Sequence, residues 1–346
     1  MLRGTFSRQE DGGRINYQLG FDATLDAGIG KRIENEEQKI QDYALFLSIH
    51  HQPHKKFSFQ PGIRVIYNSD YKAPLVPSLN IKWQFWNSLD MRASYARGFR
   101  SPTLKELYHN FIDFNHFIVG NPDLKAENAN NFNLAFTYNT EKLRKIHFSN
   151  FKLDFFFNDI DDNIYLAVRE DPDIARPLYQ YLNVNNFKSI GGSFKFEYKF
   201  HPYLFFSAGF GKTGIYIDMK DIDFKFSDFV FSSDFSSDLR YSIVKYNLDI
   251  SLFYKYNGKF NQLFIDDGDN VYLYYIEGYN TVDISILKRF WNDRITLSTG
   301  IKNLMDNANI DASGPGGAHT GGSPENRMVA WGRTFFVKFN MNFMKY

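Results

Sequence analysis

Residues 96–128, ARGFRSPTLKELYHNFIDFNHFIVGNPDLKAEN, gather most of the groups in this chain that could meet a ligand. Two imidazoles, His109 and His116, sit among Tyr108, Phe111, Phe114 and Phe117, with Arg100 shortly before them. Histidine nitrogens hold exposed metal centres, and flanking aromatic rings can stack on a flat ligand. The same types also serve as hydrogen-bonded loop residues, and both readings stand. A third loop histidine, His319, lies in the Gly-rich stretch 310–324. His50, His51, His54, His147 and His201 fall beside short breaks, where solvated turn histidines are expected.

Other chemistry is thinner. Asp159, Asp161 and Asp162 form one carboxylate cluster, and Asp266, Asp267 and Asp269 another; hard cations such as calcium favour several oxygens. Neither has the ordered spacing of a calcium loop, and solvated loop tips account for them equally. The stretch 310–324 lacks a phosphate-cradling spacing and reads as an external loop. No nucleophile elbow or metalloprotease helix occurs, so an enzyme is not expected.

Gly98-Phe99-Arg100-Ser101-Pro102 closes an alternating strand, and Gly120-Asn121-Pro122-Asp123-Leu124 forces a turn before the next strand begins near Asn128. Between them Leu104, Leu107, Tyr108 and Phe111 recur at helical spacing, which predicts a helix with Ser101 as N-cap and Pro102 at its first position.

The rest of the chain reads as strand and turn. Its 346 residues carry a net charge of +1, which gives no electrostatic ground for nucleic-acid binding. Zero cysteines excludes disulfides and thiolate metal sites. Aromatic residues make up 18%, with Phe 37 and Tyr 22 against Trp 4, yet mean hydropathy is −0.41. No apolar run approaches the roughly 18 residues a membrane-crossing helix requires. A transmembrane β-barrel reconciles these features, and a soluble sandwich is the competitor.

Period-2 patterning runs through Phe335, Val337, Phe339, Met341 and Phe343 against Lys338, Asn340 and Asn342. It returns at Leu79, Ile81, Trp83 and Phe85, at Phe132, Leu134, Phe136 and Tyr138, at Tyr246, Leu248, Ile250, Leu252 and Tyr254, and at Ile295, Leu297 and Ile301. Short breaks near 52–54, 86–88, 141–145, 201–202, 242–245 and 291–293 alternate with longer segments near 28–41, 68–74, 98–127, 159–185, 216–235, 257–270 and 304–331. That sorting predicts an all-β antiparallel barrel meander of about fourteen strands, with short periplasmic turns and long extracellular loops. Arg92, Lys82 and Lys338 are expected to face a polar lumen.

The box Phe99-Arg100-Ser101-Pro102 followed by Asn121-Pro122-Asp123-Leu124 resembles the FRAP-to-NPNL segment of TonB-dependent outer-membrane receptors. Gly300-Ile301-Lys302-Asn303-Leu304-Met305-Asp306 and the aromatic final strand add to the resemblance. It covers most of the chain and corresponds to the C-terminal part of such a receptor. It implies a place in the bacterial outer membrane and a share in a barrel of about 22 strands around a plug. It also implies uptake of a scarce metal complex, haem or a ferric siderophore first, with cobalamin and glycans as alternatives in the same family. A passive channel and a soluble β interaction module are the alternatives outside it. No cofactor is required; haem or a ferric chelate would be cargo.

In the haem-uptake branch a histidine between the two boxes ligates the haem iron and a second comes from the plug. His116, flanked by aromatics, is preferred to His109, and Tyr108, Arg100 and His319 complete the expected ligand-binding set. Ser101 departs from the family's Ala, and the second box reads NPDL. Leu2-Arg3-Gly4-Thr5-Phe6 has no apolar leader core, and residues 1–346 are expected to form a single barrel region without plug or signal peptide. The implied partners are outer-membrane lipid, a plug and N-terminal strands from another segment or chain, the TonB energy-coupling protein and a surface lipoprotein. A closed barrel of about fourteen strands is the lesser reading.

Overall fold

The computed structural model describes residues 1–8, 13–113, 117–140, 147–171, 174–219, 224–265, 271–311, 326–328 and 330–343. In chain order its strands are β1 (Leu2–Arg8), β2 (Ile15–Ile29), β3 (Glu37–His54), β4 (Phe57–Asn68), β5 (Val76–Trp86) and β6 (Leu89–Arg100). After the helix α1 (Leu104–Tyr108) come β7 (Phe111–Ile112), β8 (Phe117–Val119), β9 (Glu127–Asn139), β10 (His147–Asp171), β11 (Ile174–Phe200) and β12 (Leu204–Met219). The remainder are β13 (Phe224–Lys225), β14 (Val230–Ile243), β15 (Leu248–Asn257), β16 (Phe260–Ile265), β17 (Val271–Ile276), β18 (Tyr279–Phe290), β19 (Ile295–Lys302), β20 (Asn309–Asp311), β21 (Asn326–Met328) and β22 (Thr334–Met341).

One meander carries the architecture. β1, β2, β3, β4, β5, β6, β9, β10, β11, β12, β14, β15, β18, β19 and β22 each run antiparallel to the next. The order matches the expected meander, one strand beyond about fourteen. Among the described residues β1 pairs only with β2 and β22 only with β19, so the sheet does not close. No helix among them is long and apolar enough to cross a membrane.

The alternation predicted from sequence sets the two faces. Pairing places Leu19, Phe46's neighbours Leu45 and Leu47, Ile63 and Val65 on one face, and Phe132, Phe157 and Ile190 continue it. Leu45 is 64% exposed and Val65 55%, an arrangement unfavourable in water by about 25 cal/mol per Å² and favourable against lipid. Aromatic rings crowd the short-turn end of this face, where Trp83 stacks on Phe85 at 4.2 Å and Phe151 meets Phe196 at 4.8 Å. The opposite face is polar. Asp22 there bonds Arg3 and Arg64, and Asp249 bonds Arg289.

Three local expectations change. Tyr246 lies in a 3-10 turn, Val244–Tyr246, and not in β15. Residues 159–171 and 174–185 are no irregular loop: β10 and β11 continue as one hairpin past the sheet's rim, where Ile164, Tyr165 and Leu166 find Asn183, Leu182 and Tyr181 across the ladder. His51 and His147 are not simply solvated. His51 meets Phe59 edge-on at 5.2 Å, and His147 stacks on Phe200 at 4.6 Å while its Nδ1 lies 2.9 Å from the Tyr198 hydroxyl.

Both buried apolar clusters found among the described residues lie at the long-loop rim. Ala167, Val184, Ile217, Met219 and Phe226 form one, on the extended hairpin; Ile40, Leu107 and Leu124 form the other. A barrel has no core between its strands, so burial concentrates where loops fold back.

Candidate functional site

The second cluster is built by the two sequence boxes. Helix α1 starts at Thr103, not Ser101: the Thr103 hydroxyl accepts the Glu106 N–H, and the Glu106 carboxylate accepts the Thr103 N–H at 2.7 Å. This reciprocal capping fixes the first turn, and Pro102 stands buried just ahead of it. The helix ends at Tyr108, and Phe111 belongs to β7.

Leu107, 1% exposed, points from α1 into Leu124 of the second box and Ile40 of β3. The boxes also join through backbone. The Asn121 N–H donates to the Glu106 carbonyl at 2.8 Å, and the Gly120 N–H donates to Asn110 Oδ1. A Cβ on Gly120 would lie 2.5 Å from the Leu107 carbonyl oxygen, so this close approach requires glycine. Asn121 caps its own turn by accepting the Asp123 N–H and reaches the Tyr181 carbonyl at 2.9 Å. Leu124 offers its carbonyl to the Tyr71 hydroxyl at 3.1 Å. Pro122 and Asp123 are exposed.

Arg100 holds the assembly together. Its guanidinium donates to both Glu127 oxygens, at 2.7 and 2.8 Å, and to both Glu106 oxygens, at 3.0 and 2.9 Å. Glu127 also accepts the Ile164 N–H at 2.7 Å and Asn163 Nδ2 at 3.0 Å. Four elements therefore meet at two side chains: β6, α1, β9 and β10. Arg100 is the twelfth residue of β6 and Glu127 the first of β9, beyond the roughly 9–11 residues that cross the apolar layer. Burial alone would raise the Glu127 carboxyl, but Arg100, the Ile164 N–H and the Asn163 amide together hold it below its ordinary range.

Phenols line the same platform. Burial, followed by the neighbouring Tyr108 and Asp70, pushes the Tyr71 hydroxyl up to about 12. Burial, with Asp70 and Glu34, likewise raises Tyr108. His109 ends α1: its N–H donates to the Lys105 carbonyl, it bridges Ile33, and its half-buried ring lies parallel to Phe111 with centroids 6.1 Å apart.

From this platform β7 and β8 pair as a small hairpin, Phe111 with Ile118 and Ile112 with Phe117. β8 then pairs parallel to β11 at Tyr179 and Gln180, and β16 pairs parallel to β10 at Val168 and Arg169. The segment carrying the candidate histidines is thereby tied to the extended β10–β11 hairpin. His116 and His319 lie outside the described residues, as do Asp266, Asp267 and Asp269.

Of the expected ligand-binding set, the structure brings Arg100, Tyr108 and His109 to one platform. Arg100 is engaged by two carboxylates, and Phe99 and Ser101 flank it as strand and linker. Among the described residues no three metal-ligating side chains cluster. Asp159 and Asp161 are strand residues sharing Asn186 Nδ2, at 3.0 and 3.3 Å. Sequence reasoning missed Glu106, Glu127 and Tyr71; the Thr103-x-x-Glu106 spacing was the signal for the first. The late Asn303 is an organiser of its loop: at φ 50° it donates through Nδ2 to the carbonyls of Asn307 and Trp331 and accepts the Asn307 N–H.

Residues 3–304 match the family described as "TonB dependent receptor-like, beta-barrel". The chain is 33% identical over 101 residues to hemoglobin-haptoglobin utilization protein B of Neisseria meningitidis, a match covering 29% of this chain and 12% of that protein. It is 38% identical over 61 residues, 18% of this chain and 6% of the other, to a probable hemoglobin and hemoglobin-haptoglobin-binding protein of Haemophilus influenzae. In fold it is similar to the siderophore receptor PirA of Pseudomonas aeruginosa, with TM-score 0.67, 17% identity and 99% of this chain covered against 54% of that one. The FrpB iron transporter of Neisseria meningitidis gives 0.65 at 16% identity, with 97% and 53% covered. The chain thus spans just over half the length of these solved relatives.

Proposed function

The chain belongs to the TonB-dependent receptor β-barrel family of the bacterial outer membrane, and from that premise we propose that it forms much of the wall and mouth of a receptor importing an iron complex, haem first and a ferric siderophore second. The observation that carries the proposal is the β7–β8 hairpin between the two boxes, rooted on α1 and tied to β10–β11 at the mouth, with His109 at its root; in sequence His116 falls between its two strands. A histidine carried in sequence between two braced strands suits capture of haem iron, with Phe111 and Phe117 of those strands to stack on a porphyrin. The relatives named for hemoglobin utilization support the same direction.

On this reading loops capture the cargo, and energy-coupled movement of a plug, supplied by sequence outside residues 1–346 and driven by the TonB protein, passes it inward. A surface lipoprotein could deliver it. The polar inner face, with Asn80, Asn131 and Asn133 among its ion pairs, suits a lumen filled by polypeptide. The role is transport, not catalysis.

Haem titration of the complete receptor tests the proposal. A Soret shift lost in His116→Ala and retained in His109→Ala is expected. An unchanged spectrum in both variants removes the histidine reading, and absence of any haem shift in the parent transfers the site to a ferric chelate.

A further inference from the structure

The lipid-facing wall is not smooth. Across its centre, from β5 to β11, runs an apolar groove of about 530 Å³. Strand pairing aligns the outward side chains into rows, and two adjacent rows wall the groove. One holds Ile81, Ala93, Leu134 and Phe155, each opposite the next. The other holds Leu79, Tyr95, Phe132 and Phe157 in the same way. Ser94, Asn133 and Phe156 alternate with these and turn to the lumen, so the floor between the rows is their backbone. Ala93 is a notch in the first wall, because Ile81 and Leu134 on either side are far longer. The second wall is held at Tyr95, whose ring meets Phe132 at 4.9 Å and whose hydroxyl donates to Asn130 Oδ1 at 2.9 Å.

Such a groove does not by itself select one lipid over another, since lipid tails are as apolar as the side chains that line it. Selection needs a polar end, and Arg97 supplies one. It follows Tyr95 by two residues on the mouth side, so it shares the lipid-facing side of β6. As the ninth residue of that strand it stands near the end of the roughly 9–11 that cross the apolar layer. It is exposed, and the residue opposite it on β9 is the uncharged Asn130. The same row continues through Asp159 to Lys188, whose Nζ lies 4.0 Å from the Asp159 carboxylate. Lys188 thus has its counter-charge within the wall. Arg97 enters none of the ion pairs found among the described residues.

We propose that this groove seats one acyl chain of an anionic lipid from the mouth-side leaflet, with the headgroup phosphate on Arg97. A guanidinium meets a phosphate through parallel N–H donors, and a phosphate with no cation in its own headgroup leaves that charge free to pair. Chain and phosphate together select what neither selects alone. β5, β6, β9, β10 and β11 each have both neighbours within this chain, so the site takes no strand from outside residues 1–346. It lies outside the barrel and is independent of cargo and of whatever occupies the lumen. A lipid held there would brace β6 three residues before Arg100, the strand's link to the mouth.

Photolabelling tests this. The complete receptor is purified from outer membranes and reconstituted in phosphatidylcholine vesicles. These carry a trace of either phosphatidylglycerol or phosphatidylcholine with a diazirine on the acyl chain, and labelled peptides are mapped by mass spectrometry. β2 and β3, whose Leu19, Phe21, Leu45 and Leu47 are equally exposed to lipid, serve as reference. With the phosphatidylglycerol probe, β6 and β9 should be labelled about fivefold above the reference, the preference one arginine at a membrane surface gives an anionic lipid. The phosphatidylcholine probe should show no such enrichment. Arg97→Gln should erase it, and so should Ala93→Phe, which fills the notch and keeps the charge. Ala208→Phe, outward-facing on β12 opposite Phe196 and outside the groove, should leave it unchanged. Heat-modifiable migration shows each variant barrel folded. Equal enrichment with both probes, or enrichment that survives Arg97→Gln, overturns the proposal in favour of a notch open to any acyl chain. Enrichment lost in Arg97→Gln but kept in Ala93→Phe overturns it in favour of a surface charge without a seat.

Discussion

Arg100 and Glu127 are joined by two parallel hydrogen bonds of 2.7 and 2.8 Å, and through them the first sequence box reaches the backbone of β10 at Ile164. Bidentate guanidinium–carboxylate pairs fix orientation as well as distance. Glu127→Gln leaves Arg100 with Glu106 but loses the charge that organises Asn163 and Ile164. With Arg100 41% exposed and Glu127 14%, the expected cost is about 1–3 kcal/mol, discounted for solvent on the arginine side. Hydrogen exchange at the Ile164 amide should accelerate while strands such as β4 and β5 stay protected. Uniform acceleration would show that the pair stabilises the whole sheet instead.

The same pair sets an acid response. Glu127 is depressed in the folded state, so its contribution is fully present above the unfolded value of about 4.3 and is lost as pH falls through the lower folded value. Protection of the Ile164 amide, corrected for intrinsic exchange, should hold from neutral pH to about 5 and decline below 4. In Glu127→Gln that decline should vanish.

At the other end of the scale, Tyr71 should ionise late. Its phenol is held up to about 12 against an unfolded value of about 10. A raised folded value means stability present below pH 10 and lost as pH rises towards 12. Ultraviolet titration should show one fewer late-ionising tyrosine in Tyr71→Phe. That variant also loses the bond to the Leu124 carbonyl, at a cost of about 1 kcal/mol. An unchanged titration curve would place the late tyrosine elsewhere on the platform.

How far the sequence reveals all this depends on the range of the signal. Strand alternation is local, so Phe335, Val337 and Phe339 disclose their face without knowledge of any partner. The short-long rhythm of connections is equally local. The capping of α1 was also within reach: Thr103 has Glu106 three residues on, whereas Ser101 has Leu104. The continuation of β10 and β11 was hidden because Asp159, Asp161 and Asp162 look like a loop tip. They are strand residues because Asn186 and Asn183 bond them from the opposite strand. The Arg100–Glu127 pair spans 27 residues and the Leu107–Ile40 contact more than twice that, and no spacing rule encodes either.

Gly120 gives the sharpest single-atom prediction. Gly120→Ala places a methyl 2.5 Å from the Leu107 carbonyl, and the opposing atom is helix backbone that cannot swing aside. Separation of α1 from the second box should cost about 1–3 kcal/mol. Limited proteolysis should cut within 101–126 faster in the variant, while the heat-modifiable shift of the barrel is retained. Cleavage at the parental rate would mean that the boxes tolerate a looser contact.

Leu107 and Val184 then separate the two buried clusters. Both are almost wholly buried, yet Leu107 joins the boxes to β3 and Val184 packs the extended hairpin against Ile217 and Phe226. Leu107→Ala should cost about 2–5 kcal/mol, and the smaller Val184→Ala about 1–3. Because the clusters share no residue, the double variant should lose the sum of the two within about 0.5 kcal/mol. Hydrogen exchange should report Leu107→Ala in α1 and residues 120–126, and Val184→Ala in 163–168, 182–187 and 215–219. Strong coupling between the two would show that the mouth opens as one unit through the β8–β11 pairing, and cargo capture would then depend on both clusters together.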